Sequence, residues 1–137
     1  MKKSNVFEDN GQIICSVCGK KVMDNPEEAL LNIISNRENK MVSIAGCCKG
    51  KCDSIVSAGA PKGCLAGWKD IINFTNPYLY IKHIMSVFNS MADGKGFENR
   101  KAFEEYKRFL LLMYPYVTRD MTDQETHKAQ IDDMLPF

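Results

Sequence analysis

The sequence predicts a predominantly α-helical α+β protein. A small cysteine-bearing β element near the N-terminus is expected to pack on a C-terminal bundle of about four helices. Three observations lead there. Two cysteine pairs, Cys15 with Cys18 and Cys48 with Cys52, frame the first half. Beyond residue 61, apolar residues recur at three and four positions, the repeat of a helix with one buried face. The stretch Gly59-Ala60-Pro61-Lys62-Gly63 interrupts both patterns and marks a boundary. The organisation expected is a polar leader over residues 1–11, a cysteine module over 12–60 and a helical bundle over 61–137. The linker is short and its flanks are apolar, so the two parts should form one compact unit.

Composition narrows the class. The chain has 137 residues, 45% hydrophobic and 26% charged, which is ordinary for a globular domain and too apolar for a disordered one. A net charge of +1 announces neither a nucleic-acid nor an acidic-membrane partner. Up to Lys69 there are ten basic against seven acidic residues, a mild bias only. The N-terminus Met1-Lys2-Lys3-Ser4-Asn5-Val6 lacks the apolar core of a signal peptide, and no run approaches the ~20 apolar residues of a membrane span. Three disulfides in a secreted scaffold are the competing use of six cysteines. The expectation is a cytosolic protein whose thiols are reduced or bound to metal.

Element by element, Gln12-Ile13-Ile14 reads as extended chain entering the first cysteine pair, with Lys20-Lys21-Val22 returning antiparallel. Gly19 supplies the positive φ that a tight turn needs. Asn25-Pro26-Glu27-Glu28 resembles a capped helix start, and the spacing favours a helix over residues 26–35. A strand is expected over Met41 to Ala45, and the alternative is a hairpin in which Leu31 to Ser35 pairs with it around Asn36 to Lys40. Residues 53–58 make one or two helical turns. Leu65, Trp68, Ile71 and Ile72 form an apolar stripe at helical spacing. Asn76-Pro77 then caps a helix with Tyr78, Ile81, Ile84, Met85, Phe88 and Met91 inward. The next runs from about Glu98 to Tyr114, with Phe103, Tyr106, Leu110 and Met113 inward. Thr122-Asp123-Gln124-Glu125 is a capping box for a last polar helix, followed by the apolar tail Met134 to Phe137.

The four cysteines carry the chemistry. Cys15-Ser16-Val17-Cys18 followed by Gly19-Lys20 has the shape of a rubredoxin-like zinc knuckle, in which both sulfurs face one point. Cys48 and Cys52 are four apart and meet on one face if the segment is helical; Cys47 replaces Cys48 if the loop turns, and Cys64 is a further substitute. A four-thiolate site is most often filled by zinc, and being closed it is structural rather than catalytic. The order knuckle, strand, cysteine pair, short helix is similar to treble-clef zinc fingers over about residues 12 to 58. It differs in having three rather than two residues between the last ligands.

Lys20, Lys21, Lys49 and Lys51 flank the cysteines. They offset the negative charge of four thiolates around one divalent ion, or alternatively contact nucleic-acid phosphate. Cys64 is the spare thiol, read as a small buried residue with a nucleophile as the sharper alternative. His83 and His127 have no evident partner. The expectation is a non-enzymatic zinc-binding adaptor or regulator for a larger protein. The alternatives are a nucleic-acid-binding zinc finger and, less favoured, a thiol enzyme using Cys64.

Overall fold

A computed structural model describes residues 8–117, together with Gln124 and His127. Glu8–Asp9 (β1) and Gln12–Ile13 (β2) form a small antiparallel hairpin. Past the first cysteine pair, single 3-10 turns at Val22–Asp24 and Pro26–Glu28 lead into Ala29–Ser35 (β3) and Lys40–Cys48 (β4). Then come Lys51–Ala58 (α1), Leu65–Asp70 (β5), a 3-10 turn at Ile71–Thr75, Pro77–Ala92 (α2), Gly96–Phe97 (β6) and Arg100–Met113 (α3). The main sheet is four-stranded and mixed, in the order β5-β3-β4-β6; only the β4–β6 pairing is parallel.

The four-helix bundle is therefore not the architecture: among the described residues three α-helices surround a sheet. Two segments account for the difference. Residues 26–35 contain only one 3-10 turn, and from Ala29 the chain is the inner strand β3. Asn25 makes no side-chain cap bond, so the helix start is not realised. Leu30, Leu31, Asn32 and Ile34 are all buried because β3 is covered on both faces. A strand buried on both faces loses the alternation that marks a strand in sequence. The hairpin alternative holds instead. Asn36 Oδ1 accepts the amides of Glu38 (2.9 Å) and Lys40 (3.0 Å), and Asn39 takes φ 63°.

The stripe from Leu65 to Ile72 is likewise not helical. Leu65–Asp70 is β5, which hydrogen-bonds to the other edge of β3, and Trp68 is left 60% exposed. Pairing β5 with β3 satisfies backbone groups that a helix here would have left open along the edge of β3.

The helix start expected at Asn76 is realised, and the helix expected from about Glu98 begins at Arg100 with Asn99 as its cap. Asn76 Oδ1 accepts the Leu79 amide at 2.9 Å and Asn99 Oδ1 accepts that of Ala102 at 3.0 Å. The inward faces of the two helices match the expectation only in part: Tyr106 and Met113 are buried, and Ile84 and Leu110 pack against the core. On α2 only Tyr80 is fully buried, while Ile81 and Phe88 are 53% and 58% exposed. On α3 the buried set is Ala102, Tyr106, Phe109 and Met113. The capping box at Thr122 and the tail Met134 to Phe137 lie outside the described residues, except that Gln124 and His127 are helical. No described helix is long and apolar enough to cross a membrane.

The core joins Ile13, Leu31, Ile44, Ile71, Phe109 and Met113, so the N-terminal hairpin, the sheet and α3 share one interior. Glu8 strengthens that link from outside, its carboxylate accepting from Arg108 Nε and Nη2, each at 3.0 Å. Gly46 sets how closely the first cysteine turn approaches β4. A Cβ there would stand 2.8 Å from the Ile14 carbonyl oxygen. Replacing Gly46 with Ala should therefore lower stability by about 1–3 kcal/mol through overpacking. Thermal unfolding with metal present checks this; an unchanged melting temperature would refute the close-approach argument.

Candidate metal centre

The first cysteine turn is built by backbone bonds. The Cys15 amide donates to the Lys20 carbonyl (2.8 Å) and the Gly19 amide to the Cys15 carbonyl (2.9 Å), with Gly19 at φ 78°. Ile14 bridges Lys21 across the turn. The Val17 and Cys18 amides both point at Cys15 Sγ, 3.4 Å away. The turn is clamped to the sheet by the Ser16 amide, which donates to the Gly46 carbonyl at 2.8 Å.

Pairing partners share a sheet face, so the register of β3 with β4 divides the two adjacent cysteines. Cys47 lies opposite Leu30, on the face of Asn32 and α1. Cys48 lies opposite Ala29, on the face where Gly46 meets the first turn. Cys48 ends β4, Gly50 reverses the chain at φ 85°, and Cys52 follows in the first turn of α1. The two downstream sulfurs thus come from a strand end and a helix start, not from two turns of one helix. The Sγ atoms of Cys15, Cys18, Cys48 and Cys52 all lie within 4.8 Å of one another, with Cys18 and Cys48 3.7 Å apart. No disulfide joins any of the six cysteines.

The chain matches no known protein family, curated protein or solved structure.

Electrostatics at the cluster follow from crowding thiols away from water. For Cys15, burial opposes ionisation, but the amides of Cys18, Val17 and Cys48 outweigh it and draw the thiol down to about 6. Cys48 is pushed up to about 12 by burial and then by its neighbours Cys18 and Cys15, and Cys52 is raised by burial and the same pair. The site tolerates one thiolate; further negative charge there needs a cation among the sulfurs. Such a donor set can hold a metal ion.

Cys47 stands outside this group. Fully buried, its thiol is 3.7 Å from Asp53 Oδ1 and is pushed up to about 12 by burial and then by that carboxylate. Asp53 Oδ1 also accepts from Asn32 Nδ2 at 2.8 Å, and the same Nδ2 donates to Ser57 Oγ at 3.0 Å. This polar link between β3 and α1 was not anticipated from sequence, although Asn32 inside an apolar run was a visible hint. Cys64 lies elsewhere, half-buried in a cavity beside Arg37, Lys62 and Glu98. Of the flanking lysines, Lys49 is engaged, its Nζ 3.2 Å from Asp70 Oδ1.

His83 borders a different cavity from Cys64. Its ring meets Phe74 edge-on at 4.7 Å and Tyr106 at 5.5 Å, and its Nε2 is buried without a hydrogen-bond partner. Burial, and then Lys69, lowers its pKa from 6.5 to about 4. Between those values the unfolded chain binds the proton and the folded chain does not, so stability falls as pH drops through that window. His83→Gln should flatten this decline. Denaturant midpoints at pH 7 and pH 5 check it, and equal declines for both proteins would refute it.

Proposed function

We propose that this chain is a zinc-binding protein whose metal is structural, and that it acts without catalysis as an interaction or regulatory adaptor for a larger protein. One observation carries the metal reading: four thiol sulfurs from three separate elements lie within 4.8 Å of one another. Zn–S bonds are about 2.3 Å, so sulfurs at these separations need little movement to surround one ion. Four soft donors favour zinc over hard cations, and a shell filled by protein leaves no position for substrate. Cys47, on the opposite sheet face, and Cys64, in its own cavity, are left out of the ligand set.

The adaptor reading rests on α2. Ile81, Met85 and Phe88 form an exposed apolar line along a helix whose core contacts are Tyr80 and the half-buried Ile84. A partner with its own apolar surface would remove that line from water. The nucleic-acid alternative is less well supported, because Lys49 of its four lysines is already paired with Asp70.

Protein prepared without chelators should contain about one zinc per chain by elemental analysis, because ligation contributes to folding free energy. Cys15→Ser and Cys48→Ser should lose the zinc and unfold. Cys47→Ser and Cys64→Ser should keep it. Absence of metal, or equal loss in Cys64→Ser, would end the reading.

For the adaptor role, Ile81→Glu with Phe88→Glu should leave metal content and circular dichroism intact while abolishing capture of the protein partner. Unchanged capture would remove the α2 face from the function.

A further inference from the structure

Strand β5 is the edge of the main sheet. Its one neighbour is β3, so every second residue from Leu65 to Asp70 turns its backbone N–H and C=O away from the sheet. No described residue bonds to those outward groups. Proteins commonly shield such an edge with proline, a bulge, a very short strand or a covering segment. Among the described residues β5 has none of these. It runs six residues in unbroken register with β3, contains no proline, and is exposed from Leu65 to Lys69.

A groove of about 460 Å³ follows this edge. Trp68, Lys69 and Asp70 border it in succession, and their side chains alternate between the two faces of the strand. The space therefore lies along the edge rather than over one face. Across it stand Leu79, Lys82, His83 and Ser86, spaced at i, i+3, i+4 and i+7 and so on one stripe of α2. That helix is fixed in place by the Asn76 cap and by the Tyr80 hydroxyl, which donates to the Leu110 carbonyl at 2.6 Å. An added strand lies about 4.8 Å from its neighbour. An edge faced by a fixed helix admits one such extended chain and excludes the whole sheet of a second copy.

We propose that the open edge of β5 takes up one extended peptide segment of a partner protein as a fifth strand, with an acidic residue of that segment opposite Lys69. Backbone bonds supply the attraction and the side chains of β5 supply the selectivity. Lys69 is exposed and no described carboxylate lies within ion-pair distance of it, whereas Asp70 already has Lys49 at 3.2 Å. Opposite charges directly across a strand pair are favourable, so Lys69 selects Glu or Asp. On the other face Trp68, 60% exposed, selects a β-branched residue, and the open space at Gly67 accepts a large one. The inference names the form of partner for the adaptor reading and rests on it only in requiring a partner protein. Its surface is separate from Ile81, Met85 and Phe88.

The chain's one tryptophan reports directly, since a ¹⁵N-labelled sample gives a single indole N–H signal, that of Trp68. Full-length protein prepared without chelators is titrated with acetyl-Thr-Glu-Val-Phe-Thr-amide. In an antiparallel pairing its Glu falls opposite Lys69, its Val opposite Trp68 and its Phe opposite Gly67. The signal should shift saturably, and the outward amides of β5 should exchange more slowly with solvent. Only alternate peptide amides face β5 in a ladder. Of two peptides, one N-methylated at Glu and Phe and one at Val, one should therefore bind at least about tenfold more weakly while the other is retained. Replacing the peptide's Glu with Lys should weaken binding about twofold to fivefold, and Lys69→Glu should reverse that preference. No saturable shift with any of these peptides, equal effects of the two methylation patterns, or a preference for Glu that survives in Lys69→Glu would overturn the proposal. So would a dimer in sedimentation whose Trp68 signal moves on dilution, which would assign the edge to a second copy. Capture of a larger partner through α2 is measured on the same samples; intact capture without peptide binding ends this inference and leaves the adaptor reading standing.

Discussion

The arrangement of the cysteine cluster depends on one close contact, that between the first cysteine turn and Gly46 of β4. The Ser16 amide bonds to the Gly46 carbonyl, and the Ile14 carbonyl occupies the space a Cβ would need. This fixes the height of the turn above the sheet. Cys48 is two residues beyond Gly46, hence on the same face, and so rises toward the turn rather than away from it. A slip of one residue in the β3–β4 register would exchange Cys48 for Cys47 and dismantle the group.

Cys52 reaches the cluster by a different route. The helix that carries it has eight residues, none fully buried, and such a segment is marginal alone. Two things hold it. Asn32, itself buried in β3, bonds to Asp53 in the first turn of the helix and to Ser57 in its last turn. Gly50 turns the chain sharply enough to begin the helix directly after the strand. Hydrogen bonds to a charged group are worth roughly 1.5–3 kcal/mol, comparable with what a helix this short lacks. The polar network and a metal held by the four sulfurs would therefore orient the same helix from its two sides, each making the other less costly in conformational entropy.

The cysteine turn was legible in sequence because its signals are local: Cys15, Cys18 and Gly19 specify a conformation with few alternatives. The helix start at Asn76 was legible for the same reason, whereas the cap at Asn99 was not read and the hairpin turn with Asn36 stood only as the alternative to a helix. What the sequence hid were non-local facts. β3 reads like a helix because both of its faces are buried, which erases alternation. The spacing of Leu65, Trp68 and Ile71 suits a helix equally well, and only the open edge of β3 decides that Leu65–Asp70 becomes a strand. The choice between Cys47 and Cys48 was hidden too, although it follows at once when β4 is taken to run through both. On α2, Ile81, Met85 and Phe88 share the spacing of a core stripe, but the interior is already filled from α3 by Phe109 and Met113, which leaves Tyr80 as the helix's buried contact. Periodicity shows that a face is apolar, not what covers it.

Lys49 links the cysteine-bearing turn to the sheet edge. It stands between the downstream cysteines, its amide donating to the Glu28 carbonyl at 3.0 Å and its ammonium facing Asp70 at the end of β5. The ion pair is half-exposed, and pairs of that kind contribute about 0–1 kcal/mol. It is too weak to position β5, whose ladder to β3 already does so. Its consequence is electrostatic: it sets a cation beside the Asp70 carboxylate at the end of β5, next to the strand-to-helix turn that carries Cys48 and Cys52.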